Sequence, residues 1–292
     1  MRKKEQRLGL IFILPALLVL LVIVFIPLVQ TFYLSFQHRV LIEPAKDGFV
    51  GLSNYKELFT SKSTWKYIGI TLLFTVTSVG LKLIIGMFAA LLLNANDRAG
   101  KVYSSILMIP WFIPSVVASL IWSWILHDQF GIINEVLRSA GLIEKNIAWL
   151  SDKGLAFISV IIVDVWVGLP FMTVVLLASL KTIPKELLEA ATVDGANFLQ
   201  KLINVTLPNM RNVFIVMGTI SLIGTFNSFN IIYSLTGGGP VDATNTLVIH
   251  IYRTAFTNYD FGLAAALSVF TFIIIFMLVL FYRKRLDSEG EF

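Results

Sequence analysis

An aspartate and a lysine lie within apolar stretches of the sequence that are long enough to cross a membrane. Asp164 lies in the stretch 155–179 and Lys82 in the stretch 67–93. An ionisable side chain at membrane depth is costly, so both residues are candidates for a functional role. Lys82 can pair with Asp164, line a cavity, or extend its ammonium to the membrane surface along its aliphatic stem. The sequence leaves these three alternatives open.

Small, hydroxyl-bearing and aromatic residues recur at helical spacing in two of these stretches. The first set is Asp164, Val167, Gly168 and Phe171, and the second set is Ser221, Gly224, Thr225 and Ser228. Steps of three and four residues place each set on one face of a helix. Hydrogen-bonding groups beside an aromatic ring suit a sugar, which needs partners for its hydroxyls and its C–H face. Small residues also let helices pack closely, and the spacing alone does not decide between the two roles.

The sequence offers no residues for metal, thiol or nucleotide chemistry. It contains no cysteine, and His38, His127 and His250 lie far apart without the spacing of a metal-binding motif. The only Gly-Lys pair, Gly100-Lys101, lacks the upstream glycine and the following Ser or Thr of a phosphate-binding loop. No paired nucleophile and base lies at membrane depth, which argues against an intramembrane enzyme. We therefore expect a chain that is not an enzyme, with no catalytic residue, no metal and no cofactor of its own.

The composition is that of a polytopic membrane protein. Of 292 residues, 57% are hydrophobic and 14% charged, and the mean hydropathy is +0.81. Apolar stretches of about 20 residues or more predict membrane-spanning helices. The predicted spans are 8–36, 67–93, 103–126, 155–179, 212–234 and 263–282. The first stretch is too long for a secretory signal, and no A-x-A site follows it. We expect an all-α fold of six transmembrane helices in a single domain, 1–292.

Basic residues predict the orientation in the membrane. The net charge of +5 and the pI near 9.3 would also suit nucleic-acid binding, but the Lys and Arg residues lie in short loops beside the spans. With Arg2, Lys3 and Lys4 in the cytoplasm, more of the Lys and Arg residues fall on the inner side, and in shorter loops. Both termini and the segment 181–211 are then cytoplasmic.

The segment 181–211 is polar and lies between two membrane-length stretches. Pro184 suits the start of a short helix through Ala191, and Gly195 suits a left-handed turn that ends it. Asn197 with Gln200 three residues on predicts a second helix start, and we expect Pro208 to end that helix. Composition alone favours a simple connector on the membrane surface.

The exact residues of this segment resemble the EAA motif of ABC importer permeases. The matching residues are Glu189, Ala190, Ala191, Asp194, Gly195, Ala196, Leu207 and Pro208. Leu202 replaces the aromatic residue that is usual in the motif, and Val205 replaces the usual Ile. Apolar changes of this size are tolerated in packed positions. The turn Thr236–Pro240 by itself predicts only a tight turn. Within LTGGGPVDATNTL it resembles the outer loop after the fifth core helix of sugar-importing permeases.

The resemblance implies the ABC importer permease fold with cytoplasmic coupling helices, in the cell membrane. The chain would be a transmembrane subunit of an ATP-driven importer for a mono-, di- or oligosaccharide, forming half of the pathway. The implied partners are a second homologous permease, two ATP-binding subunits that hydrolyse the ATP and dock on the EAA loop, and an extracellular or periplasmic sugar-binding protein.

Counted from Glu189, the two sets of residues coincide with sugar-contacting positions of the maltose-type permeases. Gly168 and Ser221 match them in identity. Val167, Phe171, Gly224, Thr225 and Ser228 match them in position only. The alternative is an ion-gradient-driven secondary transporter that uses Asp164 and Lys82. That alternative requires no ATP-binding subunits and gives the EAA segment no role.

Overall fold

The computed structural model describes residues 12–95 and 97–287, which are largely helical. The helices are α1 (Phe12–Leu34, with a π-helical turn Leu21–Phe25), α2 (Ser53–Thr60), α3 (Lys62–Asn94), α4 (Asp97–Leu107), α5 (Ile109–Phe112), α6 (Ser115–Ile125), α7 (Ile132–Ser139), α8 (Lys153–Leu180), α9 (Lys185–Val193), α10 (Phe198–Lys201), α11 (Leu207–Asn209), α12 (Arg211–Phe226), α13 (Asn230–Thr236), α14 (Leu247–Phe256) and α15 (Phe261–Asp287). A 3-10 turn, Pro44–Lys46, precedes the second strand of a two-stranded antiparallel hairpin, β1 (Gln37–His38) and β2 (Gly48–Phe49). The basic residues before the first span, and the predicted start of that span at residue 8, lie outside the described residues.

The membrane-length helices agree with the all-α prediction. Within the described residues, four helices are long and apolar enough to span a membrane by themselves, and up to six spans result if each of two bent pairs is one span. The six predicted spans are compatible with this range. The third and fifth predicted spans are not straight helices, however, because they bend by 95° and 42°.

Local chemistry explains both bends. The third span breaks between α5 and α6, where Pro114 keeps Ile113 out of the helical region, at φ −80° and ψ 124°. The fifth span breaks after α12 at Asn227, whose side-chain amide donates to the carbonyl of Ile223 at 2.9 Å. Such local bonds compete with the helical ladder. Apolar periodicity reports burial and does not detect either break.

Contacts divide the chain into two compact units. The first comprises the described residues up to Trp65 together with His250–Ile274. Its centre is Asn54, which is buried and whose Nδ2 donates to the carbonyls of Ser35 and Gln37 at 2.9 and 2.8 Å. A side chain at Gly262 would collide with the Gln37 carbonyl, so a glycine is needed for this close approach. The single domain 1–292 stays a prediction.

The second unit comprises Lys66–Ile249 and the end of the chain from Ile275. Its central element is α8, which buries more than half of its apolar window. Asp152 caps this helix by accepting hydrogen bonds from the N–H groups of Gly154 and Leu155 at 2.9 and 3.0 Å. Val160 and Val163 pack on one core cluster, and Met172 and Leu176 lie in another, farther along the same helix. This rigid helix positions the polar residues between the two clusters.

A second buried asparagine organises the loop around α7. Asn134 is 2% exposed. Its Nδ2 donates to the carbonyls of Asp128 and Ile147, and its Oδ1 accepts from the N–H of Ile147 and the indole of Trp149, at 3.0 to 3.2 Å. One side chain therefore joins both ends of the loop, because an asparagine supplies donors and acceptors together.

Candidate functional site

A cavity of about 170 Å³ lies beside α8 at the middle of its length. Six of the eight predicted site residues line it. They are Asp164, Gly168 and Phe171 from α8, and Ser221, Gly224 and Thr225 from α12. The other lining residues are Lys82, Trp111, Met172, Met217 and Ile220. The two polar faces that the spacing indicated therefore border one space.

A buried ion pair forms the polar wall of this cavity. Lys82 Nζ lies 2.6 Å from Asp164 Oδ2 and donates a hydrogen bond to Thr225 Oγ1 at 3.0 Å. The Lys82 and Asp164 side chains are 8% and 6% exposed. Of the three alternatives for Lys82, the structure shows two together, because the side chain pairs with Asp164 and lines the cavity. The three residues link α3, α8 and α12 through this ion pair and one charge-assisted hydrogen bond.

Gly168 makes this pairing possible. A Cβ at this position would lie 2.9 Å from Lys82 Cε and 3.2 Å from both its Cδ and its Nζ. Gly168 is one helical turn after Asp164, so the Lys82 stem crosses the bare backbone there to reach the carboxylate. The glycine thus serves close packing, as one sequence alternative proposed, and also opens the path of a charged side chain.

Two stacked aromatic rings form an apolar wall. Trp111 and Phe171 have ring centroids 5.6 Å apart and an angle of 12° between their planes. Sequence reasoning identified Phe171 and missed Trp111. The third span was predicted as one uninterrupted helix, and nothing in that prediction directed Trp111 toward the cavity. Pro110 and Pro114, on either side of it, were the available signal of a break.

Val167 and Ser228 do not line the cavity. Val167 packs against the core cluster that contains Phe74. Ser228 follows the end of α12 at Phe226, and its backbone N–H donates to the carbonyl of Thr225 at 3.0 Å. Helical spacing from Ser221 therefore does not extend to Ser228. Gly224 has open space around it, because no atom lies within 4 Å of a Cβ built there.

The EAA segment has the predicted helix–glycine–helix form. Pro184 precedes α9, and Gly195 has φ +77°. The side chain of Asn197 accepts from the N–H of Gln200 at 2.9 Å, and the side chain of Gln200 accepts from the N–H of Asn197 at 2.8 Å. This reciprocal capping box starts α10, as predicted.

Pro208 does not end the second helix, contrary to the prediction. The chain continues through a π-helical turn, Leu202–Thr206, and Pro208 lies in the first turn of α11, where its missing N–H costs little. The break comes at Met210, with φ −91° and ψ −1°, before α12 begins. Pro208 therefore lies within a run of helical turns, and the boundary follows it by two residues.

The EAA segment presents an apolar surface beside a groove. The groove, of about 350 Å³, is lined by α9, α10 and the ends of α3 and α8, and includes Glu189. Val193, Phe198 and Leu199 are 88%, 67% and 59% exposed. Of the motif residues, Glu189, Ala190, Asp194, Gly195 and Pro208 are exposed and Ala191, Ala196 and Leu207 are half-buried.

Hydrogen bonds within the glycine-rich turn after α13 stabilise it. Gly237 ends the helix in the left-handed region, and Val241 and Asp242 also have positive φ. Thr244 Oγ1 lies 2.6 Å from Thr236 Oγ1 and donates to the Gly239 carbonyl at 2.8 Å. These bonds support a tight structural turn, and no phosphate-binding role is needed to explain it.

The titratable groups of the described residues do not suggest a metal site. No cluster of three His, Cys, Asp or Glu side chains occurs in the part of the chain that the structure describes. Hydrogen bonding and charge from Arg138 hold the pKa of Glu135 below its usual range, and Lys46 does the same to the pKa of Glu43. Both pairs are exposed, and none of their residues lines the cavity.

Comparison with known proteins gives one family and consistent relatives. The family model "Binding-protein-dependent transport system inner membrane component" matches residues 82–287. The trehalose/maltose transport system permease protein MalF of Thermococcus litoralis is 36% identical over 287 residues, covering 97% of this chain and 95% of that protein. The sulfoquinovosyl glycerol transport system permease protein SmoG of Agrobacterium fabrum is 31% identical, covering 98% and 92%.

Solved structures show the same fold. A chain of a bacterial ABC transporter involved in the import of the acidic polysaccharide alginate matches with a TM-score of 0.85 and 22% identity, covering 99% of this chain and 98% of that one. A chain of the MetNI methionine ABC transporter matches less completely, with a TM-score of 0.57 and 19% identity over 78% of this chain and 99% of that one.

Proposed function

The chain belongs to the family of binding-protein-dependent transport system inner membrane components, and from this we propose that it is a transmembrane subunit of an ATP-driven ABC importer for a carbohydrate. As a multi-pass membrane permease it forms half of the translocation pathway. The named sugar permeases among its relatives support a mono-, di- or oligosaccharide as the transported class.

The observation that carries the carbohydrate assignment is the chemistry of the cavity. The Asp164 carboxylate, the Lys82 ammonium and the hydroxyl-bearing Ser221 and Thr225 line it, together with the stacked Trp111 and Phe171 rings. A sugar needs both kinds of contact, because its hydroxyls require hydrogen-bond partners and its C–H face packs on aromatic rings. Asp164, Gly168, Phe171, Ser221, Gly224 and Thr225 are the proposed contacts. Contacts by Val167, which packs against the core cluster, and by Ser228 stay predictions.

The EAA segment is the proposed docking site for an ATP-binding subunit. Its exposed apolar side chains suit burial by a partner, and the left-handed Gly195 sets the angle between α9 and α10. ATP is bound and hydrolysed on those subunits, because this chain contains no nucleotide-binding motif. Closure of the ATP-binding subunits then moves the coupling helices and changes which side of the membrane the cavity faces.

The complete importer contains three further kinds of subunit in this proposal. A second homologous permease completes the pathway, two ATP-binding subunits lie in the cytoplasm with both termini of this chain, and an extracellular or periplasmic binding protein delivers the sugar. The binding-protein partner is supported by a related solved structure, a bacterial alginate ABC transporter in complex with a periplasmic protein that carries an alginate pentasaccharide.

Reconstitution tests this assignment. The chain is purified gently with its partner subunits and placed in vesicles with the binding protein and a panel of radiolabelled sugars. We expect uptake that requires ATP inside the cytoplasmic compartment and that stops when the ATP-binding subunits are omitted. Uptake by the permeases alone, driven by a proton or sodium gradient, would instead establish the secondary transporter.

A further inference from the structure

We propose that the Lys82–Asp164 pair makes the cavity selective for neutral sugars and rejects acidic ones such as sugar phosphates and uronates. This inference rests on the proposed function, because it concerns which carbohydrates the same cavity accepts. It assigns Lys82 as a specificity-determining residue, which neither the family match nor the names of the relatives specify.

The charge of the cavity wall is balanced. Among the described residues that line the cavity, Lys82 and Asp164 alone carry a formal charge, and they lie 2.6 Å apart. The wall therefore has no net charge to compensate an anionic ligand. A phosphate or carboxylate bound here would also lie close to the Asp164 carboxylate, and like charges repel strongly where little water screens them.

The hydrogen bonds that remain free favour hydroxyls. The Lys82 ammonium has three N–H donors, of which Thr225 accepts one, and it forms an ion pair with Asp164. The carboxylate, in turn, keeps spare lone pairs. A sugar hydroxyl can accept a further N–H and donate to the carboxylate, whereas a fully ionised phosphate or carboxylate group at the same point can only accept. A hydroxyl there thus satisfies both members of the pair, and an acidic group satisfies only one.

Gly168 gives the Lys82 stem its place beside Asp164. The stem packs at the position that a side chain of residue 168 would occupy, and the ammonium lies 2.6 Å from the carboxylate. An anion that drew the ammonium away would leave the Asp164 charge buried without its partner, which is costly. The packing of α3 on α8 therefore opposes the binding of acidic sugars.

A thiol-protection experiment tests the inference without the selectivity of the binding protein. Ser221→Cys introduces one reactive thiol in the cavity of a chain that has no native cysteine. In the assembled complex of permeases and ATP-binding subunits, a polar thiol reagent labels this residue in the presence of neutral mono- and disaccharides or of the 6-phosphate of each. We expect a neutral sugar that protects this residue to do so at a concentration about tenfold or more lower than the concentration at which its 6-phosphate protects.

Two further variants in the Ser221→Cys background separate charge from shape. Asp164→Asn leaves the Lys82 ammonium without its counter-charge, and we expect the sugar phosphate to protect about tenfold better than before. In Lys82→Met/Asp164→Leu the wall is again uncharged but has lost its polar groups, so neither ligand should protect. If Asp164→Asn fails to assemble, the comparison on the Ser221→Cys protein alone decides.

The outcomes distinguish the two levels of the proposal. Equal or better protection by the phosphate, or transport of a neutral sugar that never protects residue 221, would overturn the selectivity inference and leave the importer assignment intact. Absence of any ATP-dependent sugar uptake in the reconstituted complex would overturn the importer assignment itself. Selective protection by neutral sugars, together with their uptake, supports both.

Discussion

At the scale of single residues, the ion pair between Lys82 and Asp164 is the feature with the largest energetic consequence. Both side chains are almost fully buried, so each charge depends on the other for compensation. Removing one member of a buried pair typically costs about 3 to 5 kcal/mol, whereas replacing both by apolar groups is often neutral or stabilising. The stability of the second unit and the chemistry of the cavity are therefore linked through these two residues.

We expect Lys82→Met to destabilise the purified protein by about 3 kcal/mol or more, because it leaves the Asp164 carboxylate buried without its partner. Lys82→Met/Asp164→Leu should recover most of that loss while transport remains impaired. Denaturant unfolding in detergent measures both values. A double variant that is no more stable than Lys82→Met would show that the pair is not energetically coupled.

Gly168→Ala should lower transport, because the added Cβ would lie 2.9 Å from Lys82 Cε and displace the ammonium from Asp164. Gly80→Ala is the matched control, since no atom lies within 4 Å of a Cβ at that position. Uptake assays with equal amounts of assembled complex give the comparison. Equal uptake by the two variants would mean that the Lys82 stem relaxes without functional loss.

At the scale of secondary-structure elements, most local signals were read correctly, with Pro208 as the exception, whereas the contact between Lys82 and Asp164 was left open. The capping box at Asn197 and the left-handed Gly195 follow from a few adjacent residues, so the sequence predicted them. The Lys82–Asp164 pair depends on how two distant helices pack and rotate, and the sequence left three alternatives for it. The bend before Pro114 was missed because the apolar composition continues through it, and Trp111 was missed with it.

Gly195→Val should uncouple ATP hydrolysis from uptake, because a β-branched residue is strained at φ +77° and the angle between α9 and α10 would change. Gly195→Asn is the matched control, since asparagine tolerates the left-handed region far better. Assembly is checked by copurification of the ATP-binding subunit, and uptake is measured in vesicles. Unchanged uptake by the valine variant would reduce the segment to a connector.

Gly224→Trp should block transport, because the open space next to this glycine is part of the cavity. Ile223→Trp is the control, because it also adds bulk but at a residue that does not line the cavity. This variant should be partly tolerated. Single cysteines give a second measurement, since the transported sugar should slow labelling at 221 and not at 223. Sugar protection at 223 instead would place the pathway on another face of α12.

At the scale of the whole molecule, the proposed ATP-driven import requires one particular orientation in the membrane. The apolar helices and the family support a multi-pass membrane protein, and the arrangement of Lys and Arg predicts which side each loop faces. In the proposed importer the EAA segment faces the cytoplasm, where it meets an ATP-binding subunit, and the loop around Asn134 faces the side of the binding protein. Orientation is therefore a test of the complete importer.

A cysteine at Val193, which is 88% exposed, should react with a membrane-impermeant reagent only in inverted vesicles. A cysteine at Leu142, which is 71% exposed, should react only in intact cells or right-side-out vesicles. The native chain contributes no background because it has no cysteine. Reaction of both residues from the same side would contradict the predicted orientation.

The 95° bend between α5 and α6 also has a consequence for hydration. A helix that turns so sharply gives up several consecutive backbone hydrogen bonds, and lipid offers no substitute partners for the released N–H and C=O groups. These groups must therefore be satisfied by protein neighbours or by water. Trp111, two residues before the break, lines the cavity, so the break lies at its edge. In the proposed importer, part of the backbone can thus stay hydrated when the sugar leaves, and rehydration of the empty site would limit the energetic cost of releasing a hydroxyl-rich molecule.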